Sequence, residues 1–198
     1  MFDQYWEDLH QTHDWLQEVQ GGFVEFYEKY YSGQKDLRFL DIGCGTGPNT
    51  VFVAEQGNYC IALEASKAAA KKAKEFIDSK GVSDKAHTVV ADICEVEFEP
   101  ESFDCLIDNC TIQTLPLEHA IKAVKKCREW LKPNGRLFSR CATLPYNYSR
   151  KEAPVRFTKM EEVSTIYEGL SGEGFMEMAL LYNGDQVCHL ILHLNKPS

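Results

Sequence analysis

The stretch Phe39-Leu40-Asp41-Ile42-Gly43-Cys44-Gly45-Thr46-Gly47 constrains this 198-residue chain more than any other. An apolar run that ends in an acid and turns at once through three closely spaced glycines reads as a buried strand feeding a helix. Glycine adopts the positive φ that such a turn requires. Lacking a Cβ, it also lets backbone N–H groups come close to a ligand. The acid narrows the ligand: a carboxylate at Asp41 repels a pyrophosphate and suits a group carrying an ammonium. The spacing also departs from the dinucleotide fingerprint, which has glycine at the sixth position of G-x-G-x-x-G, where this chain has Pro48.

The surrounding pattern predicts the other elements. Residues 2–31 read as one or two helices, rich in aromatics (Phe2, Tyr5, Trp6, Trp15, Phe23, Phe26, Tyr27, Tyr30, Tyr31) and broken at Gly21-Gly22. A strand over 37–42 leads to a helix over 48–56, with proline in its opening turn and Gly57 at its stop. A short strand, 59–63, ends at Glu64, and Ser66 caps a helix that stops at Gly81. Strands over 87–90 and 103–107 end at Asp92 and at Asp108-Asn109. Residues 117–131 repeat apolar side chains at helical spacing (Ile121, Val124, Cys127, Leu131) before Lys132-Pro133-Asn134-Gly135, and 136–142 is a fifth strand. After a less regular stretch, 143–157, Thr158-Lys159-Met160-Glu161 reads as a capping box. Apolar runs over 175–182 and 186–194 flank an Asn183-Gly184 hairpin signal. Strand alternating with helix implies an α/β fold, a mostly parallel sheet with helices on both faces.

Ligands of an open parallel sheet bind beyond the carboxyl ends of its strands. Four strand ends here carry polar residues: Asp41, Glu64, Asp92 and Asp108-Asn109. Glu64 lies about twenty residues past Gly43, the separation at which an acid reaches ribose hydroxyls. With loop and acids together, residues 37–142 resemble the class I, Rossmann-like methyltransferases that use S-adenosylmethionine, and the last helix and hairpin do so more loosely. The resemblance implies a three-layer sandwich on a seven-stranded sheet, last strand antiparallel, preceded by a helical segment. It implies S-adenosyl-L-methionine as cofactor and S-adenosyl-L-homocysteine as product. Family members more often carry aspartate where Glu64 stands, and glutamate still reaches. Asp92 matches the acceptor of the adenine amino group, with Ile93 packing on the ring, and Asn109 the lining of the methionine and sulfonium end. The expected cofactor set is Asp41, Gly43, Cys44, Gly45, Gly47, Glu64, Ala65, Asp92, Ile93, Asn109 and Cys110. Tyr5 and Trp6 join it as an aromatic wall near the sulfonium.

Length and composition predict one domain over 1–198, with 44% apolar and 26% charged residues. It divides into a helical lid or cap (1–34), a cofactor-binding core (37–142) and a C-terminal helix and hairpin (143–198). No apolar run is long enough to span a membrane, and MFDQYWEDLHQ lacks the marks of a secretion signal. The eight cysteines form no C-x-x-C pair and sit among apolar neighbours, which predicts reduced, buried thiols and a cytoplasmic protein. A net charge of −9 argues against a nucleic-acid surface, and Lys67, Lys71, Lys72 and Lys74 read as a solvated helix face. Asp104 and Asp108 lack a third ligand for a metal, and the six histidines share no metal spacing; His189 and His193 read as exposed or hydrogen-bonded strand residues. No residue stands out as a general base. The expected acceptor is a small molecule, met by Tyr5, Trp6, Arg140, Tyr146 and Tyr148. The alternatives are a catalytically silent cofactor-binding module that regulates or scaffolds a partner, and a nicotinamide-dependent oxidoreductase. Oligomeric state is not legible in the chain.

Overall fold

Two helices, α1 (Gln4–Thr12) and α2 (Phe23–Tyr31), precede β1 (Arg38–Ile42), α3 (Pro48–Glu55), β2 (Tyr59–Glu64), α4 (Lys67–Ser79), β3 (Ala86–Val90) and β4 (Phe103–Asn109). A 3-10 turn, Ile112–Thr114, leads to α5 (Leu117–Trp130), β5 (Leu131–Pro145), α6 (Met160–Ile166), β6 (Ser171–Leu180) and β7 (Gln186–Asn195). The computed structural model describes residues 4–13, 18–19, 22–145, 155–180 and 186–198. Phe2, Trp15, Tyr146, Tyr148 and the Asn183-Gly184 turn lie outside these.

The seven strands form one sheet in the order β3-β2-β1-β4-β5-β7-β6. β1 pairs in parallel with both β2 and β4, and β7 runs antiparallel to β5 and β6, as the reversed last strand of the expectation. Strand order reverses at β1, so a crevice opens where β1 and β4 end, and the glycine loop stands there.

Strand alternation assigns the two faces. Leu40, Ile42, Leu106 and Leu137 point to α5 and α6, whose Val124, Cys127, Trp130 and Ile166 complete one core. Phe39, Cys105, Ile107, Phe138 and Ile191 point the other way, onto Phe23, Phe26, Tyr27 and Tyr31 of α2. Those four aromatics are almost wholly buried, and each contributes about 2–3 kcal/mol of apolar burial. The N-terminal cap of the sequence reading therefore divides: α2 is a core layer, and α1 is left near the loop. Asn58 ties this layer together, donating to Tyr27 Oη at 2.6 Å and accepting from Leu37 N at 3.0 Å.

Some boundaries differ from the pattern. The capping box moves by one residue, because the Thr158 N–H is drawn to Ala142 O at 2.8 Å and its side chain is buried. Lys159 becomes the N-cap, and Glu162, rather than Glu161, accepts from its backbone N–H at 3.2 Å while also binding Arg156 at 2.7 Å. β6 begins at Ser171 because Gly172 and Gly174 lie flat against β7, where a Cβ on Gly172 would meet His193 O at 2.0 Å. Of the two strand histidines, His189 is buried and hydrogen-bonded, 3.1 Å from Arg140 Nη2, and His193 is buried within a ring of Phe26, Tyr30 and Phe175.

Candidate active site

The three loop glycines all have positive φ, at 62°, 56° and 87° for Gly43, Gly45 and Gly47, but neighbours require them for different reasons. A Cβ on Gly43 would stand 2.2 Å from Thr111 Oγ1, and one on Gly47 would stand 3.3 Å from the Ala73 Cβ of α4. Those two glycines permit close packing. At Gly45 the nearest atom is His10 Cε1 at 3.9 Å, so it alone presents a bare backbone face toward the rim. The Cys44 side chain is buried in the α3–α4 core and its N–H donates to Leu63 O at 3.0 Å.

Glu64 reaches back over the loop. Its Oε2 accepts from Gly45 N and its Oε1 from Ser66 N, both at 2.9 Å, while Ser66 Oγ caps α4 through Ala69 N at 3.1 Å. Burial pushes the Glu64 carboxyl up, opposed by the N–H groups of Ser66, Gly45 and Ala65. Half-buried Ala65 follows it at the start of the turn into α4.

Asp41 lies beneath the loop, 1% exposed, with Thr50 Oγ1 donating to its Oδ2 at 2.8 Å. Burial pushes its carboxyl up to about 7 against the pull of Thr50 and Asn49. Asp92 is half-buried at the end of β3's turn and accepts from Cys94 N at 2.8 Å. Ile93 beside it is 6% exposed and packs in the core with Leu63 and Cys94 among its cluster.

Asp108 serves the turn after β4 rather than the rim. It is fully buried, accepts from Thr111 N at 2.9 Å, Ile112 N at 3.0 Å and Ser139 Oγ at 2.6 Å, and is pushed up to about 6 by burial. Those bonds hold Cys110 at φ 70° and leave Asn109 and Cys110 half-buried at the crevice. Asp104 lies at the opposite end of β4, bound to Lys132 at 2.8 Å and to Arg38 N at 2.9 Å, so the two acids share no site.

α1 crosses the loop, and here the structure brings in residues the sequence reading passed over. His10 is buried above Gly45, held down to about 4 by burial and then by the Lys72 charge. Glu7 accepts from Ala68 N at 3.3 Å in the first turn of α4, and Lys72 Nζ donates to His13 O at 2.8 Å. Lys72 is thus a tether for α1. The i, i+3 spacing of Glu7 and His10 was the available signal. Tyr5 and Trp6 are half-buried, their rings edge to face at 5.3 Å.

The donor set suits a nucleoside that bears positive charge: a bare glycine face, a carboxylate ending β2, and further acids beneath and beside them. The comparisons agree. A family model described as a methyltransferase domain matches residues 39–135. An uncharacterized protein of Haemophilus influenzae is 31% identical over 127 residues, covering 64% of this chain and 46% of that protein. A probable protein arginine N-methyltransferase 6.1 of Oryza sativa subsp. indica is 33% identical over 123 residues, covering 61% and 31%. The chain therefore spans less than half the length of these curated relatives. A Methanosarcina mazei crystal structure titled a SAM-dependent methyltransferase shares the fold with a TM-score of 0.75 and 15% identity, covering 91% of this chain and 99% of that one. Residues 39–135 thus match a methyltransferase domain, and the chain has the class I, Rossmann-like fold of solved structures titled SAM-dependent methyltransferases.

Proposed function

We propose that this chain transfers the methyl group of S-adenosylmethionine to a small-molecule acceptor, residues 1–198 acting as one domain in the cytoplasm. The observation that carries the reading is the Glu64 carboxylate fixed on Gly45 N and Ser66 N beside the one open glycine of the loop. Bound cofactor supplies an already activated methyl on a sulfonium, so positioning and exclusion of water do most of the protein's work. Glu64 receives the ribose hydroxyls, with Gly45 and Ala65 beside them, and Asp92 receives the adenine amino group. Asp41 acts electrostatically on the ammonium from below the loop. Asn109 and Cys110 face the methionine and sulfonium end, and Tyr5 and Trp6 of α1 form the outer wall.

Nine of the chain's charges in excess are negative, and among the described residues no helix is long and apolar enough to cross a membrane. An acidic surface favours a small acceptor over nucleic acid. A protein arginine side chain is the second reading, supported by the name of the rice relative. The test is calorimetric titration with S-adenosylhomocysteine and with NAD, followed by incubation of labelled S-adenosylmethionine with a metabolite extract and, separately, with protein. Homocysteine-nucleoside binding with label in small products is expected. Label confined to protein selects the second reading, binding without turnover selects a silent module, and NAD binding selects the oxidoreductase.

A further inference from the structure

One charged side chain near the rim stands in a setting that the cofactor does not explain. Arg140 of β5 is the register partner of Asn109 on β4 and of Ile191 on β7, so it emerges on the α2 face beside the sulfonium end. The residue is 9% exposed. Its Nη2 lies 3.1 Å from His189 Nδ1, and its Nη1 donates to Cys110 Sγ at 3.6 Å. Nε is buried and has no hydrogen-bond partner among the described residues. The carboxylate of Glu177 is 3.8 Å away, beyond hydrogen-bond reach, and its side chain is 44% exposed.

A buried guanidinium presents five N–H donors and a permanent charge, and its burial is unfavourable unless an anion meets it at hydrogen-bond distance. Among the described residues Arg140 meets at hydrogen-bond distance an imidazole and a thiol instead, with the Glu177 carboxylate further off. The imidazole is neutral, since burial and then the Arg140 charge hold His189 down to about 3. Burial likewise keeps Cys110 a thiol, pushed up to about 11. Neither neutralises the guanidinium. Cys110 N–H also donates to the Arg140 carbonyl at 2.9 Å, so the two residues are paired through their backbones as well as through Nη1 and Sγ.

We propose that Arg140 binds the carboxylate of the methyl acceptor, with His189 as its positioning residue, and that the acceptor is a small carboxylic acid. The proposal rests on the methyltransferase reading and names its substrate class. One guanidinium matches the planar fork of a carboxylate. The Glu177 charge close by opposes a dianionic phosphate, and this selects the monoanion.

The protein is incubated with labelled S-adenosylmethionine and three defined pools: small amino and hydroxy acids, their primary amides, and phosphomonoesters. Label is expected in the acids and absent from their amides. With the labelled acid as substrate, Arg140→Gln is expected to raise KM about 100-fold, with kcat changed less than tenfold and S-adenosylhomocysteine affinity held within twofold. Arg140→Lys recovers part of the loss, and Glu177→Gln lowers KM severalfold by removing the opposing charge, an effect a purely structural Arg140 would not show. No label in the acid pool, label in the amides as well, or an unchanged KM in an Arg140→Gln protein that binds S-adenosylhomocysteine overturns the proposal. Should Arg140→Gln fail to fold, an unchanged KM in both Arg140→Lys and Glu177→Gln overturns it equally. Failure of wild-type protein to bind S-adenosylhomocysteine identifies a fault in the underlying reading instead.

Discussion

Asp41→Asn separates what the loop acid costs the fold from what it gives the ligand. Burial raises the Asp41 carboxyl from 3.8 to about 7, so the folded chain holds that proton more tightly than the unfolded one. Its contribution is therefore most favourable below pH 4 and is lost progressively as pH rises toward 7. Each unit of difference corresponds to 1.36 kcal/mol, so between pH 5 and pH 8 the loss amounts to about 2.7 kcal/mol. Asparagine keeps an acceptor for Thr50 Oγ1 and does not titrate. Urea unfolding of both proteins across that range is expected to show the stability difference moving by about 2–3 kcal/mol in favour of the variant. Cofactor binding should move oppositely. A nearby cation favours the ionised acid, so wild-type affinity for S-adenosylmethionine rises as pH goes from 5 to 7, by at most about tenfold per unit. The variant binds more weakly at pH 8 and shows a flatter profile. A stability difference independent of pH, or a variant less stable than wild type at pH 8, refutes the reasoning.

Three further substitutions test other parts of the rim. Gly43→Ala places a Cβ at positive φ against Thr111 and is expected to cost about 2–4 kcal/mol in urea unfolding; Thr111→Ala in the same chain should return part of it, which a double-mutant cycle measures. Glu64→Gln keeps the shape of its side chain but loses the charge, and S-adenosylhomocysteine affinity by calorimetry should fall about 10- to 100-fold with an unchanged circular dichroism spectrum. Trp6→Ala is expected to weaken the same affinity about three- to tenfold, and an unchanged value removes Tyr5 and Trp6 from the binding set.

The fold was readable because local signals and global arrangement agree in the middle of the chain. Apolar runs punctuated by glycine and proline placed β1 to β4 and their helices within a residue or two, and Ser66 is the cap its position suggested. The strand-end acids were legible as a series, whereas their directions were not. Strand alternation sends Asp41 under α3 and Asp108 toward α6, where Thr50 and Ser139 hold them, and sequence alone does not report such partners. The burial of Ile93 and Cys44 was hidden in the same way: adjacency to a site residue does not say which way a side chain turns. The aromatics of α2 lacked a recognisable face because their partners, Phe39, Phe138 and Ile191, come from three distant strands. Arg140 was singled out near the end of the fifth strand, but its lack of a carboxylate at hydrogen-bond distance among the described residues emerges only from packing.

The placement of β7 between β5 and β6 has a bearing on how the molecule is made. β6 leaves the ribosome before the strand that will hold it, and β5 waits with one edge unpaired until residues 186–195 follow. Two of the seven strands therefore join in a single late event, which covers Phe138 and Cys141 and brings Ile191 against α2. A nascent chain stalled before that point exposes an apolar ladder of the kind that recruits chaperones or pairs with another copy. Because His189 arrives with the same strand, the setting of the Arg140 side chain is among the last features of the molecule to exist.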